Sequence, residues 1–420
     1  MQQTESNLKF PHRFYWGAAT SAHQVEGNNH NNWSVWELEN ARSLAKSAEY
    51  KLSDLPIWSQ IRAQATDPNN YVSGVAIDHY RRYELDLAIA QKLNLNAYRF
   101  SIEWSRIEPE EGVWNQEAID HYRAYIREIK RRGMEPMPTL FHWTTPVWFS
   151  EKGGFERSKN IRYFVRFCER VIDEYHQDVR YITSINEPDT VASHGYVTLD
   201  HPPQQRSFFK AFFVYRNLLK AHKKIYSYAH KKSRRLRVGF TKSYAWVRAG
   251  DERFITRLAV RGDLWFRDDI PLRFVRRKCD FIGVNYYFSD RHIGVQLNNT
   301  HENLNDLGWE MRPEDIKHVL IRLKKWKKPI LVTESGVADQ RDEHRKWWIA
   351  QTLAGIYAAQ SAGADVIGYL HWSLFDNFEW AYGRWPRFGL VEIDYDDNLK
   401  RTVRPSGLWY GKLVKRLRGL

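Results

Sequence analysis

Short apolar runs recur along this chain, and helical patterns fill most of the intervals between them. A short β-branched run bounded by polar residues is typical of a strand that is buried on both faces of a parallel sheet. Eight such strands with intervening helices predict an α/β fold, a (β/α)8 TIM barrel with long loops at the C-terminal face of the strands. The predicted strands cover residues 14–19, 97–101, 136–141, 182–185, 236–240, 281–285, 330–333 and 366–371.

The 420 residues are enough for two or three average domains or for one barrel with long loops. No linker rich in Pro, Gly or Ser divides the chain, so we predict a single TIM-barrel domain over residues 1–420, with residues 1–9 as a loose N-terminal tail. The surplus length follows predicted strands, with one loop from about residue 20 to residue 78 and another through residues 201–203. Long loops at this end of a barrel are usually functional.

Two glutamates end two of the predicted strands: Glu187 follows the fourth strand and Glu334 follows the seventh. A carboxylate in this position takes no part in the packing that defines the strand, and the carboxyl ends of barrel strands are where chemistry is placed. Two carboxylates that converge from separate strands are the pair that cleavage of a glycosidic bond requires. We therefore expect the functional site at this end of the barrel.

Other predicted strand ends also carry polar or aromatic side chains. A single histidine at a strand end is more often structural, but seven strand ends that supply such groups to one face indicate a site. Along the sixth strand, the alternation of side chains places Asn285 and Tyr287 on one face and Tyr286 on the other. The strand-end groups include Gln24, Arg99, His142, Trp143, Asn186, Glu187, Asn285, Tyr287, Glu334 and Trp372.

Lys and Arg number 64 against 50 Asp and Glu, which gives a net charge of +14. Basic clusters lie at residues 231–235, 276–278, 324–328 and 415–418. We interpret them as solvated helix faces, with affinity for an acidic surface or nucleic acid as the alternative. No helix-turn-helix, zinc-finger or RNA-binding signature supports that alternative, so no specific nucleic-acid partner is expected.

The two cysteines, Cys168 and Cys279, lack a Cys-x-x-Cys partner, so neither a disulfide framework nor a zinc site is expected. Because the sequence shows no cofactor motif, we predict no cofactor and no metal. The first ten residues lack the features of a signal peptide, and no apolar stretch is long enough to span a bilayer. We therefore expect a cytoplasmic protein without a membrane partner, and we leave its oligomeric state open.

Seven segments resemble glycoside hydrolase family 1, the β-glucosidase/β-galactosidase family. They occur in the family's order between about residue 10 and residue 415, and this order and coverage make the resemblance specific. It implies a somewhat trimmed member of that family, which hydrolyses small β-glycosides or oligosaccharides with retention of configuration. The segments are FYWGAATSA at 14–22, YRFSIEWSR at 98–106, TLFHW at 139–143, NEP at 186–188, GVNYY at 283–287, TESG at 333–336 and HWSLFDNFEW at 371–380.

The resemblance also assigns roles to the catalytic groups. Glu187 corresponds to the general acid/base, which must be protonated near neutral pH, and Glu334 to the nucleophile that forms a covalent glycosyl-enzyme. Arg99 is expected to keep Glu334 ionised, and Tyr287 to orient it. Asn186 is expected to bind the sugar 2-hydroxyl, a contact that strengthens in the transition state.

The family pattern further implies which side chains bind substrate. Trp372 corresponds to a stacking floor, and Trp309 resembles a platform on the aglycone side, with packing at the rim as its alternative. Relatives that hydrolyse 6-phosphorylated sugars typically have Ser in place of Glu379, so Glu379 favours neutral β-glucosides, with β-galactosides and β-fucosides also open. The implied set is Gln24, His142, Trp143, Asn285, Trp309, Trp372, Glu379, Trp380 and Phe388, of which Gln24, His142, Glu379 and Trp380 bind hydroxyl groups.

The chain also departs from the family pattern. Ser335 replaces the Asn that commonly follows the nucleophile, and this change is expected to alter the local hydrogen bonding while leaving the carboxylate. Asp189 stands where an aromatic residue is common, which predicts a more polar leaving-group side. Residues 257–278 are shorter than the usual segment, and we hypothesise a trimmed fifth βα unit with a wider cleft or less order. A transglycosylase or a weakly active sugar-binding relative is the alternative to a hydrolase, although intact Glu187 and Glu334 argue against a silent protein.

Overall fold

The computed structural model describes residues 8–420. Its strands are β1 (Tyr15–Ala19), β2 (Ala97–Ser101), β3 (Glu135–Thr139), β4 (Tyr181–Asn186), β5 (Arg237–Ser243), β6 (Trp246–Ala249), β7 (Phe281–Tyr286), β8 (Ser289–Ile293), β9 (Gln296–Leu297), β10 (Ile330–Ser335), β11 (Val366–Trp372), β12 (Val391–Asp394) and β13 (Lys400–Val403). Within the described range, eight strands form a closed parallel barrel in the order β1-β11-β10-β7-β5-β4-β3-β2. The predicted (β/α)8 barrel is confirmed.

Helices connect the barrel strands and cover the outside of the barrel. The α-helices are α1 (Ala22–Val25), α2 (Asn32–Leu52), α3 (Trp58–Ala65), α4 (His79–Lys92), α5 (Trp104–Ile107), α6 (Gln116–Arg131), α7 (Val147–Glu151), α8 (Ile161–Tyr175), α9 (Pro188–Ser193), α10 (Phe208–Lys232), α11 (Phe254–Leu264), α12 (Ile270–Val275), α13 (Ile316–Leu323), α14 (Arg345–Ser361) and α15 (Pro405–Arg418). A π-helical turn at Trp265–Asp269 joins α11 to α12.

Each predicted strand coincides with a barrel strand, and the differences lie at the strand ends. The third strand was predicted to reach residue 141, whereas β3 ends at Thr139, where its register with β4 is reduced to the pair Thr139–Thr183. The backbone stays bonded beyond this point, because the N–H of Leu140 donates to the carbonyl of Thr183 at 2.9 Å. In the fifth strand, β5 continues to Ser243, three residues past its predicted end.

Local sequence explains the helices that pack on the barrel. In α6 the side chain of Asn115 accepts a hydrogen bond from the backbone of Ala118 and caps the helix, and Gly133 with φ of 75° follows the helix end. The apolar positions of α6 are spaced at helical intervals and buried against the barrel. Cys168 is likewise buried on the inner face of α8, and both cysteines are free.

The long loop after β1 is mostly helical. Helices α1 to α3 fill it, and Trp33 and Trp36 from α2 form an aromatic cluster with Trp380 from the loop after β11. This loop therefore forms part of the rim at the carboxyl ends of the strands.

The shortened segment after β5 is also helical. It forms α11, the π-helical turn and α12, followed by a short 3-10 turn at Arg276–Lys278. The segment is thus a nearly continuous run of helices, and this does not support the hypothesis that it is less ordered.

Five described strands lie outside the barrel and had no counterpart in the sequence-based prediction. Strands β6, β8 and β9 form one small sheet, and β12 and β13 pair as a second. These strands are only two to five residues long, which is too short for a clear periodic pattern.

Residues 1–7 of the predicted N-terminal tail lie outside the described residues, and Leu8 is buried in the main apolar core. Between residues 8 and 420, no helix has both the length and the apolar character needed to cross a membrane.

Candidate active site

Both glutamates lie at the carboxyl end of the barrel. Glu187 follows β4 directly, has a left-handed φ of 42° and precedes α9. Glu334 lies within β10, where the register with β7 shifts between Val332 and Glu334. A bulge of this kind re-aims a side chain at the rim of a barrel. Glu187 and Glu334 are buried, with 6% and 3% of their surface exposed.

A cation and a phenol hold the carboxylate of Glu334. Arg99, which is fully buried, donates from Nη1 to Oε1 of Glu334. The hydroxyl of Tyr287 donates to Oε2 of the same carboxylate at 2.6 Å. A neighbouring guanidinium and a donated hydrogen bond both favour the charged form of a carboxyl group. The surroundings of Glu334 therefore stabilise and orient a carboxylate through both of its oxygens.

The environment of Glu187 has the opposite effect. Burial, followed by the charges of Glu334 and Asp189, raises the pKa of Glu187 to about 8. Hydrogen bonds from Asn285 to Oε1 at 2.7 Å and from Thr190 to Oε2 at 2.9 Å lower this pKa to a smaller extent. A carboxyl group with such a pKa carries its proton in neutral solution. The two glutamates therefore differ in charge, and Glu187 is the one that can donate a proton.

Asn186 links the groups behind the two glutamates. Its Oδ1 accepts hydrogen bonds from Nη2 of Arg99 at 2.7 Å and from Nδ2 of Asn285 at 3.1 Å. Because both neighbours are donors, they fix the orientation of the Asn186 amide, and its NH2 group faces Nε2 of His142 at 3.2 Å. Asn285 is fixed in turn, since its Oδ1 accepts from the hydroxyl of Thr333 at 2.7 Å.

His142 has an unpaired nitrogen in this buried region. Its Nε2 accepts from Asn186, and burial together with the charge of Arg99 holds the pKa of His142 well below its usual range. The ring is therefore neutral and carries its proton on Nδ1. Within residues 8–420, Nδ1 of His142 is buried and has no hydrogen-bond partner. Buried polar atoms are rarely left unpaired, so this N–H is a candidate donor to a ligand.

These groups surround a cavity of about 160 Å³. Pockets for drug-sized ligands typically measure roughly 300–1,000 Å³, so this volume suits a small group such as one sugar ring. Of the fourteen predicted site residues, eleven line the cavity: His142, Trp143, Asn186, Glu187, Tyr287, Trp309, Glu334, Trp372, Glu379, Trp380 and Phe388.

The other three predicted residues, Arg99, Asn285 and Gln24, lie behind the lining and contact it. Gln24 was expected to bind a sugar hydroxyl, but it is fully buried, and its Nε2 donates to Oε2 of Glu379 at 3.4 Å and to the carbonyl of Phe378 at 2.7 Å. In this structure Gln24 supports Glu379 instead of forming the cavity wall.

Glu379 is a third carboxyl group in the cavity. Burial raises its pKa to about 8, and the charges of Glu334 and Glu187 add to this effect. Glu379 is therefore largely protonated in neutral solution, and its carboxyl group can both donate and accept hydrogen bonds.

Aromatic rings form two walls of the cavity. On one side, the ring of His142 is nearly parallel to Trp372 and to Trp380, at 21° and 16°, with centroids 6.1 Å away in both cases. On the other side, the ring of Trp309 lies 6.0 Å from Tyr287 and 5.6 Å from Phe288. Trp309 therefore faces the cavity, as expected of a platform.

Sequence reasoning missed a buried cation next to Glu187. Lys242 in β5 has only 1% of its side chain exposed, and its Nζ lies 3.1 Å from Asp189 and 3.4 Å from Asp268. Asp189 was predicted to make the leaving-group side more polar, but its negative charge is compensated by the ion pair with Lys242. The sequence did contain a signal for Lys242. Polar or aromatic groups had been assigned to the ends of seven predicted strands, and the fifth strand, which carries Lys242, was the one left without such a group.

The remaining lining residues that were missed come from loops and from the residues that follow Glu187: Thr190, His194, His201, Ser243, Phe288 and Tyr382. Within the described part of the chain, His194, Asp200 and His201 have potential metal-ligating atoms within 4.8 Å of one another. Nδ1 of His194 lies 2.9 Å from Asp200, and the two imidazole rings stack with centroids 4.5 Å apart. The cluster is therefore held together by the hydrogen bond between His194 and Asp200 and by the stacking of His201 on His194.

Ser335 does not touch the carboxylate of the preceding Glu334. Its hydroxyl accepts a 3.1 Å hydrogen bond from Nε1 of Trp348 in α14, on the outer side of the barrel. Tyr286 points to the same side, and its hydroxyl donates to the carbonyl of Arg312 at 2.6 Å. The predicted separation of Tyr286 from Asn285 and Tyr287 is therefore confirmed, and the Ser335 substitution leaves the contacts of Glu334 unchanged.

Comparisons with known proteins agree with this geometry. A model of the family described as Glycosyl hydrolase family 1 matches residues 6–260 and 255–418. The chain is 30% identical to Beta-glucosidase A of Thermotoga maritima over 97% of this chain and 98% of the relative.

Two solved structures extend the comparison. A β-glycosidase from Pyrococcus horikoshii superposes with a TM-score of 0.84 at 34% identity, covering 97% of this chain and 95% of the other. A β-glucosidase from Thermotoga maritima in complex with glucoimidazole superposes with a TM-score of 0.85 at 27% identity, covering 98% and 100%.

Proposed function

Because this chain belongs to glycosyl hydrolase family 1 and is a retaining hydrolase of the β-glucosidase type, we propose that it removes a neutral terminal sugar from small β-glycosides or oligosaccharides. Glu187 acts as the acid/base and Glu334 as the nucleophile. The observation that carries these roles is the contrast between the two buried carboxyl groups: Glu334 is paired with Arg99, and burial and negative charge raise the pKa of Glu187 to about 8.

In the first half of the reaction, the carboxylate of Glu334 attacks the anomeric carbon. Glu187 transfers its proton to the glycosidic oxygen, the bond between that oxygen and the anomeric carbon breaks, and the aglycone leaves as an alcohol. The sugar is now bound to Glu334 as an ester.

In the second half, Glu187 works as a base. The negative charge of Glu334 is one cause of the raised pKa of Glu187, and this charge disappears when the ester forms. The pKa of Glu187 therefore falls, and its carboxylate can take a proton from a water molecule that attacks the same carbon. The bond between this carbon and Glu334 breaks in the same step, and Glu334 leaves as a carboxylate. Two inversions at one carbon return the sugar with its original β configuration.

The choice of a neutral sugar is supported by the cavity lining. Phosphate groups are commonly held by Lys or Arg, and among the described residues that line the cavity there is neither. Nδ1–H of His142 and the protonated carboxyl group of Glu379 offer hydrogen bonds that suit uncharged hydroxyl groups. The ring of Trp372 supplies a flat apolar surface for one face of the sugar.

The experiment is a panel of nitrophenyl β-glucoside, β-galactoside, β-fucoside and 6-phospho-β-glucoside, with the first-formed anomer followed by proton NMR. We expect hydrolysis of at least one neutral substrate, initial release of the β-anomer and no cleavage of the phosphorylated substrate. Initial release of the α-anomer would overturn the double displacement. Preferential cleavage of the phosphorylated substrate would overturn the proposed neutral sugar.

We also propose a cytoplasmic location. It is supported by the two cysteines, which are both free thiols, as is usual in a reducing compartment.

A further inference from the structure

Three side chains at the edge of the cavity form a compact group of potential metal ligands. His194, Asp200 and His201 each place a ligand atom within 4.8 Å of the other two, and within residues 8–420 no other group of three His, Cys, Asp or Glu side chains does so. We refer to these three residues as the histidine cluster. Two imidazoles and one carboxylate suit transition-metal ions, whereas Mg²⁺ and Ca²⁺ prefer oxygen ligands throughout.

The path of the chain brings the two histidines together. His194 begins a π-helical turn directly after α9, and His201 lies seven residues later in the same loop. The backbone of Gly195 packs closely against Pro202, because a Cβ at position 195 would lie only 2.9 Å from the carbonyl oxygen of Pro202. The N–H of Gln205 donates to the carbonyl of Gly195 at 3.0 Å and closes the loop. The neighbours of this crossing are His194 and His201, and their rings therefore stack with centroids 4.5 Å apart.

The ring of His201 is held by packing and has no hydrogen-bond partner. His201 is 9% exposed and lines the cavity. Its ring centroid lies 4.8 Å from that of Trp33 and 5.3 Å from that of Trp143, and within the described part of the chain neither ring nitrogen forms a hydrogen bond. A neutral imidazole has one nitrogen with an available lone pair, and buried polar atoms are rarely left unpaired. This nitrogen is therefore available to a ligand.

Asp200 forms no ion pair with a lysine or an arginine of the described chain. Its ion-pair partner is His194, whose Nδ1 lies 2.9 Å and 3.0 Å from the two carboxylate oxygens. The hydroxyl of Thr198 donates to Oδ1 of Asp200 at 2.5 Å and orients the carboxylate, as outer partners of metal-bound carboxylates do. The pair of His194 and Asp200 alone would be enough to hold the loop. The unpaired His201 beside it is the observation that points to an ion.

Small movements of the side chains complete the coordination. Zn²⁺ binds histidine nitrogen at about 2.0–2.1 Å and carboxylate oxygen at about 2.0–2.2 Å, so the ligand atoms around a tetrahedral ion lie roughly 3.3 Å apart. The separations in the histidine cluster are at most 4.8 Å, and the contact between His194 and Asp200 is already shorter than the required distance. The side chains of His194 and Asp200 are 36% and 42% exposed, so both can turn and an ion can enter from solvent.

We propose that the histidine cluster binds one divalent transition-metal ion of the Zn²⁺ class, and that this ion narrows the cavity and inhibits the enzyme. His194 and His201 both line the cavity, so an ion between them lies in the path of a glycoside. The ion replaces the hydrogen bond between His194 and Asp200, and the proton of that bond is released to water. The ion takes no part in the reaction proposed for Glu187 and Glu334. The proposal departs from the sequence-based expectation that the chain binds no metal.

The test is calorimetric titration of the full chain with Zn²⁺ after removal of metal with a chelator, together with the visible absorption spectrum of bound Co²⁺. Neither measurement requires turnover, so a failure of the proposed glycosidase function would not affect the result. The cluster variants are Asp200→Asn, which keeps the shape of the side chain, and His201→Gln. The matched control is His230→Gln, which removes a partly exposed histidine that pairs with Asp280 outside the histidine cluster.

We expect wild type and His230→Gln to bind one Zn²⁺ per chain, to give Co²⁺ bands typical of nitrogen ligands, and to retain Zn²⁺ in excess Mg²⁺. Asp200→Asn and His201→Gln should each weaken Zn²⁺ binding at least roughly tenfold, since even loss of an outer partner of a metal ligand typically costs about 10–100-fold. Without metal, Asp200→Asn should unfold at the wild-type midpoint, because its side chain is partly exposed. Zn²⁺ should raise the midpoint of wild type and control and not that of the cluster variants.

Absence of a Zn²⁺ site with a stoichiometry of one in wild type would overturn the proposal. So would equal Zn²⁺ affinity in wild type and both cluster variants, because the ion would then bind elsewhere. Inhibition is tested separately: Zn²⁺ should lower kcat/KM on a nitrophenyl β-glycoside in wild type and His230→Gln, and this loss should be absent in Asp200→Asn at the same Zn²⁺ concentration. If Zn²⁺ bound to the histidine cluster and left kcat/KM unchanged, the inhibitory role would be wrong.

Discussion

The NH2 group of Asn186 lies 3.2 Å from Nε2 of His142 and fixes the proton of this histidine on the opposite nitrogen. The orientation of Asn186 is itself determined by Arg99 and Asn285, which both donate to its Oδ1. The same arginine also binds Glu334, so a single buried cation orients both the proposed nucleophile and, through Asn186, the histidine that we propose as a donor to the sugar.

The first prediction concerns this donor. Replacement of His142 by Ala should lower kcat/KM on a neutral β-glycoside about tenfold, because one hydrogen bond to the sugar is lost. Steady-state kinetics on a series of monodeoxy substrates checks the assignment. For the substrate that lacks the hydroxyl bound by His142, wild type and variant should have similar kcat/KM, and an equal loss on every deoxy substrate would contradict a direct contact.

The second prediction is that Glu334→Ala abolishes hydrolysis of aryl β-glucosides. No other carboxyl group is assigned to attack the anomeric carbon, so kcat/KM should fall by at least roughly 10⁴-fold, as expected for loss of a catalytic nucleophile. A matched control is Glu392→Ala, which removes an exposed carboxylate from β12. Activity near wild type in Glu334→Ala would show that another group is the nucleophile.

The third prediction separates the acid from the nucleophile by leaving group. Glu187→Ala should slow substrates with poor leaving groups far more than activated dinitrophenyl glycosides, which need little protonation. Azide should restore the rate of the activated substrate and yield a β-glycosyl azide, detectable by NMR. If both substrate classes lost activity equally and azide had no effect, Glu187 would not be the acid.

The barrel and the two glutamates were accessible from sequence because both depend on short-range regularities. Buried parallel strands are read from β-branched runs, and a carboxylate directly after such a run must lie at the strand end. The outward direction of Ser335 follows from the same alternation that separates Tyr286 from Asn285 and Tyr287. It was therefore predictable, although Ser335 was expected to alter the hydrogen bonding near Glu334.

Contacts between distant segments were not accessible in this way. The pairing of Lys242 with Asp189 and Asp268 joins the chain after β4 to the helical segment after β5, and the position of Gln24 behind Glu379 joins the first loop to the last. The exposed apolar side chains of α10 and α11 are another example, because each segment has an ordinary helical pattern in the sequence. Only the folded structure shows which of their apolar residues stay exposed.

The fourth prediction is an alkaline limb in the pH profile of kcat/KM. The acid must be protonated, and the pKa of Glu187 is raised to about 8, so activity should fall as the pH rises through about 8. Glu379 has a pKa in the same range, and the two groups interact, so the limb reports an apparent value for the pair. The limb should persist in Glu379→Gln and disappear in Glu187→Ala assayed with an activated substrate. If it disappeared in Glu379→Gln alone, the titrating group would be Glu379, and the prediction would be wrong.

The fifth prediction concerns the buried cation next to the acid. Replacement of Lys242 by Met leaves Asp189 and Asp268 without their shared partner. Because Asp189 is partly exposed and Asp268 keeps Arg322 at 3.7 Å, the free energy of unfolding, measured with urea, should fall by about 1–3 kcal/mol. The matched control is Lys224→Met, which removes an exposed lysine from α10 and should change stability little.

The same variant has a second, independent effect on catalysis. The negative charge of Asp189 already raises the pKa of Glu187, and without Lys242 this charge is no longer offset. The alkaline limb of kcat/KM should therefore move to higher pH in Lys242→Met, and Lys242→Met/Asp189→Asn should bring it back, because the amide removes the charge. A limb that stayed in place while stability fell would show that Lys242 serves packing between the two loops and has no electrostatic influence on the acid.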